Sequence, residues 1–230
     1  MTRKETKREK EKDWKRSLLW GSVAVSAFVV WTVLLLVVDV QPVGQNGTEV
    51  GFATFNVWFH KRTGVHMWIY TITDWLGLVP VAVCMIFGVM GFLQWVKRRR
   101  LFKVDYDILL LGIYYVIVIL CYLVFEMIPV NYRPVPIDGR MEASYPSSTT
   151  LLVLGVMPTL VYQTRRRVRN ILVIRVLCVL TGIFSAYMVL GRLVSGVHWF
   201  TDIVGSVILS VGLFYVYKAA VLFCEKKENR

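Results

Sequence analysis

Six long apolar runs, at about 18–39, 67–96, 104–128, 147–164, 170–190 and 200–223, constrain this 230-residue chain more than any other feature. A bilayer core is crossed by roughly 20 apolar residues in helical form, so each run reads as a spanning segment. Hydrophobic residues make up 56% of the chain, too large a share for an ordinary soluble domain. The expected fold is therefore an all-α integral membrane protein of six transmembrane helices. The charged segment 1–17 resembles the start of a signal peptide. However, the apolar run behind it is too long for one and reaches Asp39 without a small-residue cleavage site, so it reads as a retained anchor. The expected organisation is a basic N-terminal segment (1–17), a six-helix membrane domain (18–224) and a short tail (225–230).

Basic residues orient the helices. Of the 27 Lys and Arg, eight fall in 1–16, five in 97–103, five in 165–175 and four in 218–230. With six alternating helices these all lie on one side, leaving Lys61, Arg62, Arg133, Arg140 and Arg192 for the other. The basic side is expected to be cytoplasmic and to carry both termini. The surplus charge suits an anionic leaflet, and no nucleic-acid module is visible. Cys84, Cys121, Cys178 and Cys224 sit far apart inside apolar runs, without ligand spacing, and read as packing residues.

Chemistry gathers in the segments expected outside. The stretch GRLVSGVHWFTD places Arg192, His198 and Asp202 beside hydrocarbon, where ionisable groups need partners. On a helix, His198 and Asp202 would share a face, and a carboxylate near an imidazole fixes its tautomer. An arginine in the preceding turn can grip a phosphate in its planar fork. The same three residues could also be an interfacial histidine, a capping aspartate and a snorkelling arginine. A second outer segment, EMIPVNYRPVPIDGRMEASYPSSTT, carries Arg133–Pro134 and then Pro146–Ser147–Ser148–Thr149 at the start of the fourth run. A helix opening there would turn unpaired backbone amides outward, as an anion cradle.

Together these motifs resemble the phosphatidic-acid phosphatase type 2 superfamily, whose signature is KxxxxxxRP, then PSGH, then SRxxxxxHxxxD. The resemblance spans about 65–215, and its third motif is the most specific part. It implies a lipid phosphate phosphatase that needs no metal or cofactor, with its site open to the outer leaflet of a cell membrane. His198 would attack phosphorus and form a phosphohistidine, with Asp202 orienting it. Arg133 and Arg192, helped by Ser147, Ser148 and nearby amides, would hold the phosphoryl oxygens. The chain departs from the pattern at four places. Glu126 stands where the family has lysine, and Thr149 where it has the histidine that protonates the leaving group. Gly191 and Ser148 replace a serine and a glycine.

A pyrophosphate substrate, such as an undecaprenyl carrier used in bacterial wall synthesis, releases a lipid monophosphate and has less need of an acid at 149. Glu126 would be a substitute acid if burial raised its pKa. The alternatives are a member that binds or transports a lipid phosphate without turnover, or a purely structural scaffold. In the first outer loop, Lys61, Arg62 and His66 are possible accessory cations among aromatics suited to the membrane surface. Asp74, inside the second run, requires a polar partner or a water-filled pocket.

Overall fold

A computed structural model describes residues 3–228. Eight α-helices account for nearly all of it: α1 (Arg3–Val37), α2 (Ala53–Thr63), α3 (Met67–Leu76), α4 (Leu78–Arg98), α5 (Tyr106–Met127), α6 (Ser148–Arg167), α7 (Ile171–Val194) and α8 (Phe200–Glu228). Five segments are long and apolar enough to cross a membrane: α1, α3 with α4 taken as one, α5, α7 and α8. The chain is a multi-pass membrane protein.

The fourth run differs from its neighbours. Helix α6 carries Thr150, Thr159 and Gln163, all buried, and falls short of the others in apolarity. It packs against α4, α5, α7 and α8. A helix screened from lipid by other helices can carry polar groups if they are satisfied inside the bundle. They are: Tyr115 shares a 2.7 Å hydrogen bond with Thr159, Tyr114 donates to the Gly155 carbonyl at 2.8 Å, and Gln163 donates to Tyr217.

The second run is broken. Gly77 ends α3, its amide returning to the Thr73 and Asp74 carbonyls, and Pro80 follows in the first turn of α4. Proline offers no N–H, so the interruption precedes it. The charged residues 3–17, by contrast, are continuous with the first span, since α1 starts at Arg3. Likewise α8 runs through 224 without a break.

Helices α1 and α8 cross closely where Gly21 and Gly212 face each other's partner backbone. A Cβ at Gly21 would lie 2.8 Å from the Val216 amide nitrogen. Their far ends also meet, with the Trp14 and Phe223 rings 5.3 Å apart and Lys226 Nζ 3.5 Å from Glu11. The start of α1 and the end of α8 therefore lie at the same end of the bundle. That end is tied by Arg166 and Arg167 to Asp107, by Arg166 to Glu225, and by Arg98 to Asp105.

At the opposite end, the loops pack over the helices. Helix α2 shows Phe55 and Trp58 to the surroundings, as a surface-lying helix does. Its buried Asn56 donates to the Gly51 carbonyl at 2.8 Å and to Thr201 Oγ1 at 2.9 Å, fastening it to α8. The loop between α5 and α6 folds back on itself through antiparallel bridges Tyr132–Ala143 and Ile137–Arg140.

Candidate active site

The turn from α7 to α8 presents His198. Gly196 at φ +72° reverses the chain there, and a Cβ on it would come 2.2 Å from the Gly64 carbonyl oxygen, so only glycine fits. Two histidines of the first loop lock this turn. His60 Nε2 bonds the Gly196 carbonyl at 3.0 Å. The His66 amide donates to the Ser195 carbonyl at 2.9 Å, while its ring is held by the Thr63 carbonyl.

His198 is 4% exposed. Its Nδ1 lies 3.1 Å from both the carbonyl oxygen and the hydroxyl oxygen of Ser144. A carbonyl only accepts, so Nδ1 carries the proton and Nε2 keeps its lone pair. The Ser144 hydroxyl donates in turn to Asp202 Oδ2. Asp202 Oδ2 itself stands 3.9 Å from His198 Nδ1, too far for a hydrogen bond. The carboxylate thus reaches the imidazole through Ser144. Its second oxygen accepts from Asn131 Nδ2 at 3.1 Å, and Oδ2 also accepts from the Trp199 amide at 2.9 Å, capping α8 from within its first turn. Orienting and capping, weighed as alternatives for Asp202, coexist in one side chain. Ser144 is fixed by its own amide, which donates to the Asn131 carbonyl at 2.8 Å.

Two guanidiniums flank one ring. Arg192 Cζ lies 4.7 Å and Arg133 Cζ 5.9 Å from the centroid of Tyr70 on α3. Each has a carboxylate partner: Arg192 Nη2 donates to Asp74 at 2.7 Å, and Glu142 stands 3.2 Å from Arg133 Nε. Arg192 Nη2 also donates to Thr149 Oγ1. What remains is unusual for buried arginine. Nε and Nη1 of Arg192 and Nη1 of Arg133 are buried with no hydrogen-bond partner among the described residues, and Arg133 Nε has the Glu142 ion pair alone. Buried charged donors left open cost several kcal/mol unless something accepts from them, about the scale of a lost charge-assisted hydrogen bond or two. Asp74 thereby has the partner its position required.

The positive pair is felt by the imidazole. Burial, then the charges of Arg133 and Arg192, hold the His198 pKa well below its ordinary value, so the ring is neutral at physiological pH.

Ser147 is buried with its hydroxyl donating inward to Thr150 Oγ1 at 3.1 Å. Its side chain is therefore engaged, and the first-turn amides of α6, which have no intrahelical acceptor, are the open donors of that segment. Ser148 and Thr149 line a cavity of about 470 Å³ together with Asp74 and Tyr122. Glu126 is exposed one turn beyond Tyr122, without a hydrogen bond or ion pair to the cluster. Burial, the condition for its acting as an acid, is not met. Lys61 and Arg62 are exposed on α2, with Arg62 stacked 5.9 Å from the Trp58 ring; they and His66 lie outside the arginine–histidine cluster. Gly191 has a packing reason, since a Cβ there would lie 2.7 Å from Thr73 Cγ2 on α3. The site residues that spacing did not reveal are Ser144, Asn131, Tyr70 and Glu142. No group of three or more His, Cys, Asp or Glu side chains among the described residues could hold a metal ion.

None of the curated proteins matches this sequence. The fold is similar to the crystal structure of a transmembrane PAP2 type phosphatidylglycerolphosphate phosphatase from Bacillus subtilis, with a TM-score of 0.65 and 16% identity over 90% of this chain and 96% of that one. At that identity the likeness speaks for the fold. Residues 122–225 match the model of the PAP2 superfamily. That stretch contains Arg133, Ser144, Thr149, Arg192, His198 and Asp202, and it lies within a fold similar to that of the PAP2 type phosphatase.

Proposed function

We propose that the protein is a membrane lipid phosphatase that removes a terminal phosphate from a polyprenyl pyrophosphate or phospholipid phosphate. The observation that carries this reading is the pair of buried guanidiniums with open N–H groups beside a neutral imidazole. Their geometry suits three phosphoryl oxygens, with charge stabilisation supplying most of the rate.

In the step envisaged, the Nε2 lone pair of His198 attacks phosphorus. The bond from phosphorus to the bridging oxygen breaks, and the leaving group departs with that electron pair. The proton stays on Nδ1, directed at the Ser144 oxygens, and Asp202 steadies the developing positive ring through the Ser144 hydroxyl. Water then attacks the phosphohistidine, the P–N bond returns its electrons to Nε2, and the water's proton passes to solvent. Arg133 and Arg192 hold the oxygens in both steps, with the α6 amides as further donors. No residue role in this scheme calls for a metal.

A pyrophosphate suits the residues better than a monoester. Thr149 is bound to Arg192 and carries no proton that titrates near neutrality, so a leaving group that is already a stable anion is favoured. The same fact favours the second reading, a member that binds or transports a lipid phosphate without turnover.

The placement proposed is a cell membrane with six crossings, α6 being the sixth, and both termini in the cytoplasm. The start of α1 and the end of α8 meet at one end of the bundle, which an even number of crossings explains. Residues 18–224 would then form the phosphatase domain between short cytoplasmic segments, with the site on the far side, where a bacterial wall carrier would be recycled. Phosphate release from undecaprenyl pyrophosphate and phosphatidic acid, by wild type and His198→Ala, tests the activity. Release lost in the variant supports hydrolysis; equally low release by both leaves binding alone.

A further inference from the structure

A groove of about 400 Å³ between α6, α7 and α8 shares no residue with the candidate site. Toward the middle of the bundle its walls are apolar, with Met157, Pro158 and Phe214. Gly182 is exposed along it and keeps it hollow, since a Cβ there would meet nothing within 4 Å. Toward the end of the bundle away from His198 its character changes. Arg165, Lys218 and Tyr162 line it there, and all three side chains are proton donors. Neither cation has a carboxylate partner among the described residues, whereas the neighbouring Arg166 and Arg167 both do. Arg165 does not extend away from the bundle. Its Nη2 turns back to within 3.8 Å of Cys178 Sγ, a weak acceptor two turns inside α7. Lys218 is half-buried, about 10 Å up α8 from Glu225 by helix rise, with only the Tyr215 ring 5.7 Å from its Nζ. The Tyr162 hydroxyl is buried with no hydrogen-bond partner among the described residues, and Arg166 Cζ stands 5.9 Å from its ring.

Charge and length together choose the occupant. Cations set this far into a membrane helix call for an anion, and no side chain of the groove supplies one. From Arg165 back to Leu154, which lines the far end, the helix rise gives about 16 Å, against about 15 Å for one leaflet of hydrocarbon. A phosphate held at the cations thus lays one acyl chain along the apolar wall. We propose that this groove is a binding site for an anionic phospholipid of the leaflet opposite the candidate site, with its phosphate between Arg165 and Lys218 and an acyl chain beside Phe214 and Gly182. A free phosphate would leave the apolar wall unfilled. A zwitterionic phospholipid would bring a cation of its own to two others. The inference rests on the chain being a multi-pass membrane protein and not on the hydrolase reading, so either can fail without the other.

The test needs no turnover. Full-length protein in a neutral detergent is mixed with dioleoylphosphatidylglycerol or dioleoylphosphatidylcholine, with and without inorganic phosphate, and bound copies are counted by native mass spectrometry. Wild type should retain one more copy of the anionic lipid than of the zwitterionic one, and inorganic phosphate should not displace it. Arg165→Gln combined with Lys218→Gln should weaken that copy at least about tenfold, the scale of two lost basic contacts at a membrane surface. Arg99→Gln combined with Arg100→Gln removes the same charge from exposed positions outside the groove and should leave the copy in place. Gly182→Leu fills the groove without harming the helix, since leucine favours helix more than glycine does, and should also lose the copy. If the half-buried Lys218→Gln compromises folding, Arg165→Gln alone decides: weaker retention supports the site and unchanged retention overturns it. Equal retention of the two lipids, displacement by phosphate, equal loss in the Arg99 and Arg100 variant, or full retention by Gly182→Leu would each overturn the proposal.

Discussion

The two ends of the bundle both concentrate arginine, yet they use it differently. At the end holding the start of α1 and the end of α8, Arg166 is fully engaged, with Nε near Asp107, Nη1 on Glu225 and Nη2 on Tyr106. Arg167 is shared between Asp107 and Gln163. At the other end, Arg192 keeps Nε and Nη1 and Arg133 keeps Nη1 buried without a partner, while Arg133 Nε has only its ion pair with Glu142. A saturated guanidinium is a fastening. An open one, backed by a carboxylate and an aromatic face, is poised to receive an anion. Count of charges does not separate the ends; the number of donors left over does.

Substitutions at the two ends should therefore fail in opposite ways. Arg192→Ala and Arg133→Ala are expected to lower kcat/KM by about 10²–10³-fold, as loss of a transition-state donor does, with little change in thermal midpoint. Arg166→Ala should instead cost about 1–3 kcal/mol of stability, read as a lowered midpoint in detergent, because it strips donors from the buried Asp107. Turnover per folded molecule should hold. Reversed outcomes would erase the distinction.

Ser144→Ala sharpens the picture within the active end. Removing the hydroxyl leaves the carbonyl contact to Nδ1 but disconnects Asp202. We expect kcat to fall roughly tenfold or more with KM little changed, on the scale of a tautomer-holding contact. A purely structural Ser144 would lower the yield of folded protein and leave kcat intact. Smallest is a shift in pH profile. The His198 pKa is lowered, so the imidazole becomes protonated, and attack is lost, only at pH well below the ordinary histidine range. Arg133→Gln removes a positive neighbour, so the acid limb of kcat/KM should move to higher pH.

Much of the candidate site was legible in sequence because its groups lie at fixed spacings in two short segments. Arg192, His198 and Asp202 sit within eleven residues, and Arg133 and Thr149 flank one loop. What joins them was not legible. Ser144 and Asn131 meet Asp202 across 58 and 71 residues of chain. Tyr70 is one of many aromatics in an apolar run until the bundle sets it under both arginines. Asp74 announced only that it needed a partner; which one depended on α3 packing against α7. Counting back from Arg133 pointed to Glu126 as an acid, but that count ignores which face of α5 is buried. Helix α6 read as an apolar span like the rest, whereas its hydroxyl and amide groups mark it as the helix at the centre.

The central claim is that His198 Nε2 takes the phosphoryl group that Arg133 and Arg192 hold. Rapid quenching of wild-type protein with undecaprenyl pyrophosphate labelled at its terminal phosphate tests it most directly. The account predicts protein-bound label that is acid-labile and stable in base, present in wild type and absent from His198→Ala. Phosphate released at equal rates by both proteins, with no label trapped on either, would contradict it.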